Sequence, residues 1–170
     1  MFKNKKVLVT GGTGLVGREA VELLSKRGAK VTSVSLDDNN LNPEWGANYV
    51  KKDLRSIDNC MELCEGMDYV FHIAGIKGSP VVMKTFQYQI FRDFIMMNTI
   101  DAIYNTPSVK WGLYTSTIGI YGPARTFKED DVWTQNPSPN DWYAGWAKRM
   151  GEVQIDAYDE QHGAPKVSII

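Results

Sequence analysis

"VLVTGGTGLVG" (Val7–Gly17) sets Gly11, Gly14 and Gly17 three residues apart, directly behind an apolar run. Lys5–Thr10 reads as a buried strand ended by glycine. From Thr13 to Arg27, Leu15, Val16, Ala20, Val21, Leu23 and Leu24 recur at helical spacing, and Gly28 supplies the stop. A strand, then G-x-x-G-x-x-G, then a helix is the context in which bare backbone holds a phosphate. Gly11 suits a turn conformation open to few other residues. Gly14 lets a pyrophosphate approach the main chain, and Gly17 lets the helix pack tightly on the strand. Unpaired N–H groups and the dipole at the helix start favour the anion, with Thr13, Leu15 and Val16 in the same turn. The competing reading is a turn that is structural only.

Strand and helix alternate along the rest of the chain. Lys30–Leu36 reads as a second strand, Asp37–Asn40 as a polar loop, Ala47–Val50 as a third strand and Ser56–Cys64 as a helix. Asp68–Ile73 is a fourth strand, Thr85–Asn105 a long helix and Val109–Thr117 a fifth strand. A loop rich in Pro, Asp and Asn runs from Gly122 to Asp141; Trp142–His162 is helical and Lys166–Ile170 a sixth strand. Several strands are too apolar to be half exposed, so the pattern predicts an α/β fold: a parallel sheet of about six strands covered on both faces.

The 170 residues suit a single domain, 1–170, and 43% hydrophobic against 23% charged residues is a globular balance. A net charge of −1 at pH 7 advertises no polyanion, so nucleic acid is not an expected partner. No apolar run approaches the ~18 residues that span a bilayer, so no membrane partner is expected either. The start, MFKNKKVLVTGG, lacks the apolar stretch of a signal peptide. Cys60 and Cys64, four apart on a predicted helix, read as packed free thiols and point to the cytoplasm.

The glycine spacing in "VTGGTGLVG" resembles that of the extended short-chain dehydrogenase/reductase superfamily, the NAD-dependent epimerases, dehydratases and GDP-fucose-synthase-like reductases of nucleotide sugars. "KKDLR" puts Asp53 and Leu54 where that family holds the adenine. "DYVFHIAGIKGS" is similar to its fourth strand and following turn, which implies that Ala74, Gly75 and Ile76 lie beside the cofactor. "MMNTIDAIYN" places Asn98 as in the family's N-x-x-G-T segment, with Asp101 and Ala102 in place of Gly-Thr. "YTSTIGIYG" looks like the fifth strand with its active-site turn, and "AGWAKRMGE" like the lysine-bearing helix. The resemblance implies a Rossmann-like, doubly wound dinucleotide-binding domain that acts on a nucleotide sugar by hydride transfer. It also implies a homodimer through the two long helices. The resemblance further implies a sugar-binding domain beyond the point where this sequence ends, "KVSII"; a naturally short version, a fragment and a pocket completed by another subunit all stay open.

The cofactor expected is NAD, with NADP left open. A carboxylate about 20 residues past the glycines would bind the ribose 2′-OH, and Asp37 fits by count. The strand register puts Ser35 at that place instead, and Arg18 could pair with a 2′-phosphate. For catalysis the resemblance implies Thr117 as the hydroxyl that orients the substrate, with Thr115 at the strand end. It gives Lys148 as the cation that lowers a tyrosine pKa and holds the nicotinamide ribose. Four residues before Lys148 stands Ala144 rather than tyrosine. Tyr143 is one place earlier, and on a continuous helix five residues turn ~500°, which puts it on another face. An acid/base role for Tyr143, a packing role and a substrate contact all stay open, as does a catalytically silent dinucleotide-binding module.

His72 reads as a buried, hydrogen-bonded histidine, and no metal-ligand spacing is present. Trp133, Trp142, Tyr143 and Trp146 cap a pocket or pack the preceding loop. Phe91, Phe94, Met96 and Met97 read as core or dimer seam. Gly78, Ser79, Glu129 and Asp130 are loop residues within possible reach of a substrate.

Overall fold

Val7 and Val9 on one side of the first strand, and Leu8 on the other, are all fully buried, so this strand is covered on both faces. A computed structural model of the chain describes residues 1–38, 42–75, 80–88 and 97–170. Asn39, Asn40, Ile76, Gly78, Ser79, Phe91, Phe94 and Met96, all weighed above, lie outside the described residues. The strands are β1 (Lys6–Thr10), β2 (Lys30–Ser35), β3 (Asn48–Lys51), β4 (Tyr69–His72), β5 (Trp111–Tyr114) and β6 (Val167–Ile169). They form one sheet in the order β3-β2-β1-β4-β5-β6, with every pairing parallel. This is the doubly wound order in which strand succession reverses between β1 and β4.

Helices α1 (Leu15–Lys26), α2 (Ile57–Cys64), α3 (Pro80–Thr85), α4 (Met97–Asn105) and α5 (Trp142–His162) connect the strands. On one face Val21 and Leu24 of α1 pack on Val7, Val9 and Val31, with Trp45 beside them. On the other face α2, α4 and α5 cover Leu8, Val34, Val70 and Tyr114 through Cys60, Leu63, Ile100, Ile103 and Ile155. Cys60 and Cys64 are free and buried in that layer, where burial pushes the Cys64 thiol up to about 12. Among the described residues no helix is long and apolar enough to cross a membrane.

Most strand and helix ends shift by a residue or two from the sequence expectation, and three departures have a visible local cause. α1 begins at Leu15 because Gly14 is its cap residue, and Thr13 is held instead by the side chains of Ser35, at the end of β2, and Asp37, just beyond it. A short helix at Pro80–Thr85 precedes the expected long one, of which Met97–Asn105 is described. β5 ends at Tyr114 rather than Thr117, because the next residues bond to α5 and Thr117 caps a 3-10 turn at Ile118–Ile120.

The carboxyl ends of β1 and β4 are joined by one side chain. Thr10 Oγ1 accepts from the N–H groups of Ile73 and Ala74, each at 3.1 Å, and lies 2.9 Å from His72 Nδ1. With two bonds accepted, its own proton goes to Nδ1, which leaves the ring proton on Nε2. His72 stacks on Tyr114 at 5.8 Å and is fully buried. Burial first, and the Lys148 charge second, depress its pKa to about 3.

A histidine depressed in the folded state takes up a proton on unfolding. Its contribution to stability is therefore present above the unfolded value of ~6.5 and is lost as pH falls from there toward 3. Urea unfolding at pH 7 and pH 5.5 is expected to show the native chain losing about 1 kcal/mol more than a His72→Gln variant over that interval. Equal losses in the two proteins would mean that His72 titrates normally.

Candidate functional site

At the carboxyl edge of the sheet, the glycine turn is packed backbone to backbone. Gly11 has φ of +70°, and a Cβ there would meet the Ala74 Cα at 2.7 Å. A Cβ on Gly17 would stand 2.1 Å from the Gly11 carbonyl oxygen. The turn thus fills the space between β4 and the start of α1. Gly14 is different: it is exposed, and its would-be Cβ meets a single atom, the Gly11 carbonyl oxygen, at a tight 3.2 Å. The start of α1 has no side-chain cap and no acidic residue in its first turn, which Arg18 closes. Its leading N–H groups therefore suit an anion from outside the chain. Leu15 and Val16 flank the turn as exposed apolar side chains.

Thr13 ties this turn to β2. Its N–H donates to Ser35 Oγ at 3.2 Å and its hydroxyl to Asp37 Oδ2 at 2.7 Å. Beside it is a cavity of ≈ 160 Å³ lined by Thr13, Ser33, Ser35, Asp37, Tyr49 and Lys51, among others. The hydroxyls of Ser33 and Tyr49 are buried there without a hydrogen-bond partner. Lys51 pairs with Asp38 at 2.7 Å. Asp37 and Ser35, the two candidates from sequence, thus line one cavity, whereas Arg18 is exposed on α1. Asp53 accepts from Arg55, its closest contact being 2.5 Å, and the Leu54 side chain is buried in the α2 layer. Asn98 Nδ2 donates to the Arg55 carbonyl at 2.9 Å, which fixes α4 to the segment after β3.

Toward β5 the polar groups converge. A Cβ on Gly75 would lie 4.0 Å from Lys148 Nζ, so the lysine reaches the turn after β4. The same ammonium donates to the Thr115 carbonyl at 2.5 Å and sits 4.6 Å over the Tyr114 ring. Thr117 Oγ1 accepts from the Gly119 N–H at 3.2 Å. Tyr143 is the second residue of α5, which runs unbroken to His162, and it is 41% exposed. Five helical residues separate it from Lys148, about 140° around the axis. The sequence-predicted groups therefore fall along one crest: the glycine turn, Ala74 and Gly75, Lys148, Thr115 and Thr117.

Other residues in this region carried weaker sequence signals. Glu152 is buried and accepts from the Ser116 hydroxyl; burial raises its pKa, opposed first by that hydrogen bond. Arg149, also buried, gives two hydrogen bonds to the Ile120 carbonyl, at 3.0 and 2.5 Å. Its guanidinium stacks on Trp146 at 5.1 Å and lies 6.0 Å from the Trp133 ring, while Trp142 meets Trp146 edge-on. Trp133, from the segment before α5, thus lies near a guanidinium that α5 supplies. A charge in "KRMGE" four residues past Lys148 was a readable sign of Glu152. Thr10, Tyr49 and Lys51 gave none beyond being polar in strands.

The model of the NAD dependent epimerase/dehydratase family matches residues 7–170. The "Probable GDP-L-fucose synthase" of Drosophila melanogaster is 28% identical over 173 residues, covering 98% of this chain and 50% of that protein. The GDP-mannose 3,5-epimerase of Arabidopsis thaliana is 26% identical, covering 95% of this chain and 45% of that one. The chain thus spans about half the length of these curated relatives. Among solved structures, the epimerase Mth375 of Methanothermobacter thermautotrophicus superimposes with a TM-score of 0.80 at 22% identity, over 99% of this chain and 51% of that chain. With a family match running from the first buried strand residue to the last residue, the chain belongs to the NAD dependent epimerase/dehydratase family.

Proposed function

We propose that this chain binds a nicotinamide dinucleotide along the crest of the sheet and, with it, oxidises and reduces a ring carbon of a nucleotide sugar. One observation carries the reading. The open, uncapped glycine turn is packed on Ala74, and Gly75 next to it is within contact range of Lys148, so anion site and cation lie on one path. The residues present suit such a ligand. Gly14 is exposed on the turn, where a Cβ would crowd the Gly11 carbonyl, and the first-turn N–H groups lack an internal partner of the side-chain kind. Gly11, Thr13, Gly14, Leu15, Val16 and Gly17 would hold the pyrophosphate, and Asp37 a ribose hydroxyl. Asp53 and the main chain of Leu54, whose side chain is buried in the α2 layer, would border the adenine. Ala74, Gly75, Ile76, Asn98, Thr115 and Lys148 would flank the nicotinamide half. Asp37 at the cavity favours NAD over NADP, since a carboxylate repels a 2′-phosphate.

A bound nicotinamide supplies the acceptor and donor of hydride. The chain's own residues do the rest. Thr117 orients the substrate oxygen by hydrogen bonding, and Tyr143 takes the hydroxyl proton and returns it. Lys148 favours the phenolate by its charge and binds the ribose. The nucleotide-sugar class is supported by the family and by relatives named for GDP-linked sugars. Exposed Met150 and Val153 on α5 support a homodimer through α4 and α5, and the two free buried thiols support a cytoplasmic location. A second reading, a dinucleotide-binding module without turnover, is favoured by the position of Tyr143 within a continuous helix, off the Lys148 face.

Calorimetric titration with NADH and NADPH tests the binding claim. Gly14→Ala is expected to keep the fold, at a cost of about 1 kcal/mol or less, and to weaken the dinucleotide at least about tenfold. Gly17→Ala, with its Cβ driven into a carbonyl, is expected to cost about 1–3 kcal/mol and to lower the melting temperature by about 5 °C. Undiminished binding by Gly14→Ala refutes the anion site. Turnover of UDP- and GDP-sugars by the native chain, abolished in Tyr143→Phe, supports the enzyme; turnover unchanged by that substitution removes Tyr143 from the acid/base role, and none in the native chain leaves the module.

A further inference from the structure

Three consecutive residues at the end of β5 are each bonded to α5. The Tyr114 hydroxyl donates to the Lys148 carbonyl at 3.3 Å, the Thr115 carbonyl accepts from Lys148 Nζ, and the Ser116 hydroxyl donates to Glu152. Lys148 and Glu152 are one helical turn apart and grip adjacent strand-end residues. The approach is close: a Cβ on Gly151 would lie 2.3 Å from the Tyr114 hydroxyl oxygen. Ser116 is also fixed from the other side, its N–H donating to the Ile170 carbonyl at 2.6 Å.

A buried carboxylate is a costly way to join a helix to a strand. An apolar side chain of similar volume would pack there without the desolvation penalty, and such replacements are often neutral or stabilising. Arg149, one residue beyond the lysine, has its guanidinium on the Ile120 carbonyl and against Trp146. Ser116 is thus the hydrogen-bond donor through which Glu152 acts on the strand end. Whatever fixes Ser116 also fixes the Thr115 carbonyl that anchors the ammonium.

We propose that Glu152, through the Ser116 hydroxyl, is a positioning residue that holds the Thr115 carbonyl where it orients Lys148 toward the nicotinamide half of a bound dinucleotide. The inference rests on the assignment of Lys148 to that half made above. It predicts that losing Glu152 harms the nicotinamide end of the site and spares the adenosine diphosphate end, which the glycine turn and the cavity beside β2 would hold, across β1 from β5.

The test compares two probes, ADP and NADH, titrated by calorimetry into the native chain and its variants. The native chain is expected to bind NADH more tightly than ADP. Glu152→Leu is expected to keep its melting temperature and to lose about tenfold or more in NADH affinity, with ADP held to within about twofold. Glu152→Gln, whose carboxamide oxygen still accepts from Ser116, is expected to restore most of the NADH affinity. Ser116→Ala removes only the donor and is expected to reproduce the selective loss, so it decides the matter if Glu152→Leu does not fold. Unchanged NADH binding in Glu152→Leu or Ser116→Ala overturns the proposal, as does an equal loss of NADH and ADP. A native chain that binds ADP and NADH equally also overturns it, whereas one that binds neither overturns the dinucleotide reading itself.

Discussion

Main chain pressed on main chain, where β1 turns into α1, is the constraint on which the rest of this fold depends. Gly11, Gly17 and Ala74 approach so closely that a single added Cβ at residue 11 or 17 would overlap backbone atoms. Backbone cannot rotate out of the way as a side chain can, so the turn has one shape. That shape leaves the first N–H groups of α1 uncovered and brings the ends of β1 and β4 together. Thr10 completes the junction by accepting from the two N–H groups that follow β4.

The same junction explains how the polar groups come to share a crest. In a parallel sheet every strand ends at the same edge, and the succession reverses between β1 and β4. Residues remote in sequence, such as Gly11 and Ala74, or Gly75, Thr115 and Lys148, are therefore delivered to neighbouring places. Burial then sorts their chemistry. His72, beneath the crest, is held neutral, and burial raises the Tyr114 phenol, so neither is suited to carry charge at neutral pH. Lys148 has the Thr115 carbonyl and the Tyr114 ring as neighbours, both of which suit a cation.

Much of this was legible in the sequence because it follows from local rules. Alternating apolar runs and helical repeats placed all six strands, and the glycines with their flanking residues placed the turn. Ends were read less well. β5 stops at Tyr114 because Thr115 and Ser116 turn their bonding groups to α5, a long-range preference with no periodic trace. The partner of a polar residue was equally hidden. Ser35 and Asp37 looked like rivals for one role, yet Thr13 binds both. Leu54, matched by motif to the adenine, turns its side chain into the core, since the segment after β3 must also close over α2.

The register of α5 bears on the displaced tyrosine. Sliding the helix by one residue would bring Tyr143 toward the place that the family gives to its tyrosine, but the helix is pinned along its length. Gly145 lies against the Gly119 carbonyl, Gly151 against the Tyr114 hydroxyl, Arg149 on the Ile120 carbonyl and Glu152 on Ser116. A rotation of ~100° per residue would break all four contacts and carry Lys148 off Thr115. Any adjustment that serves Tyr143 must therefore come from the first turn of α5 alone. That turn is bounded by Asp141, whose Cβ would be 2.9 Å from one on Gly119, so the freedom left to it is small. Lys148 is thus held in a rigidly built place, whereas Tyr143 sits on the first turn of α5, ahead of those four contacts.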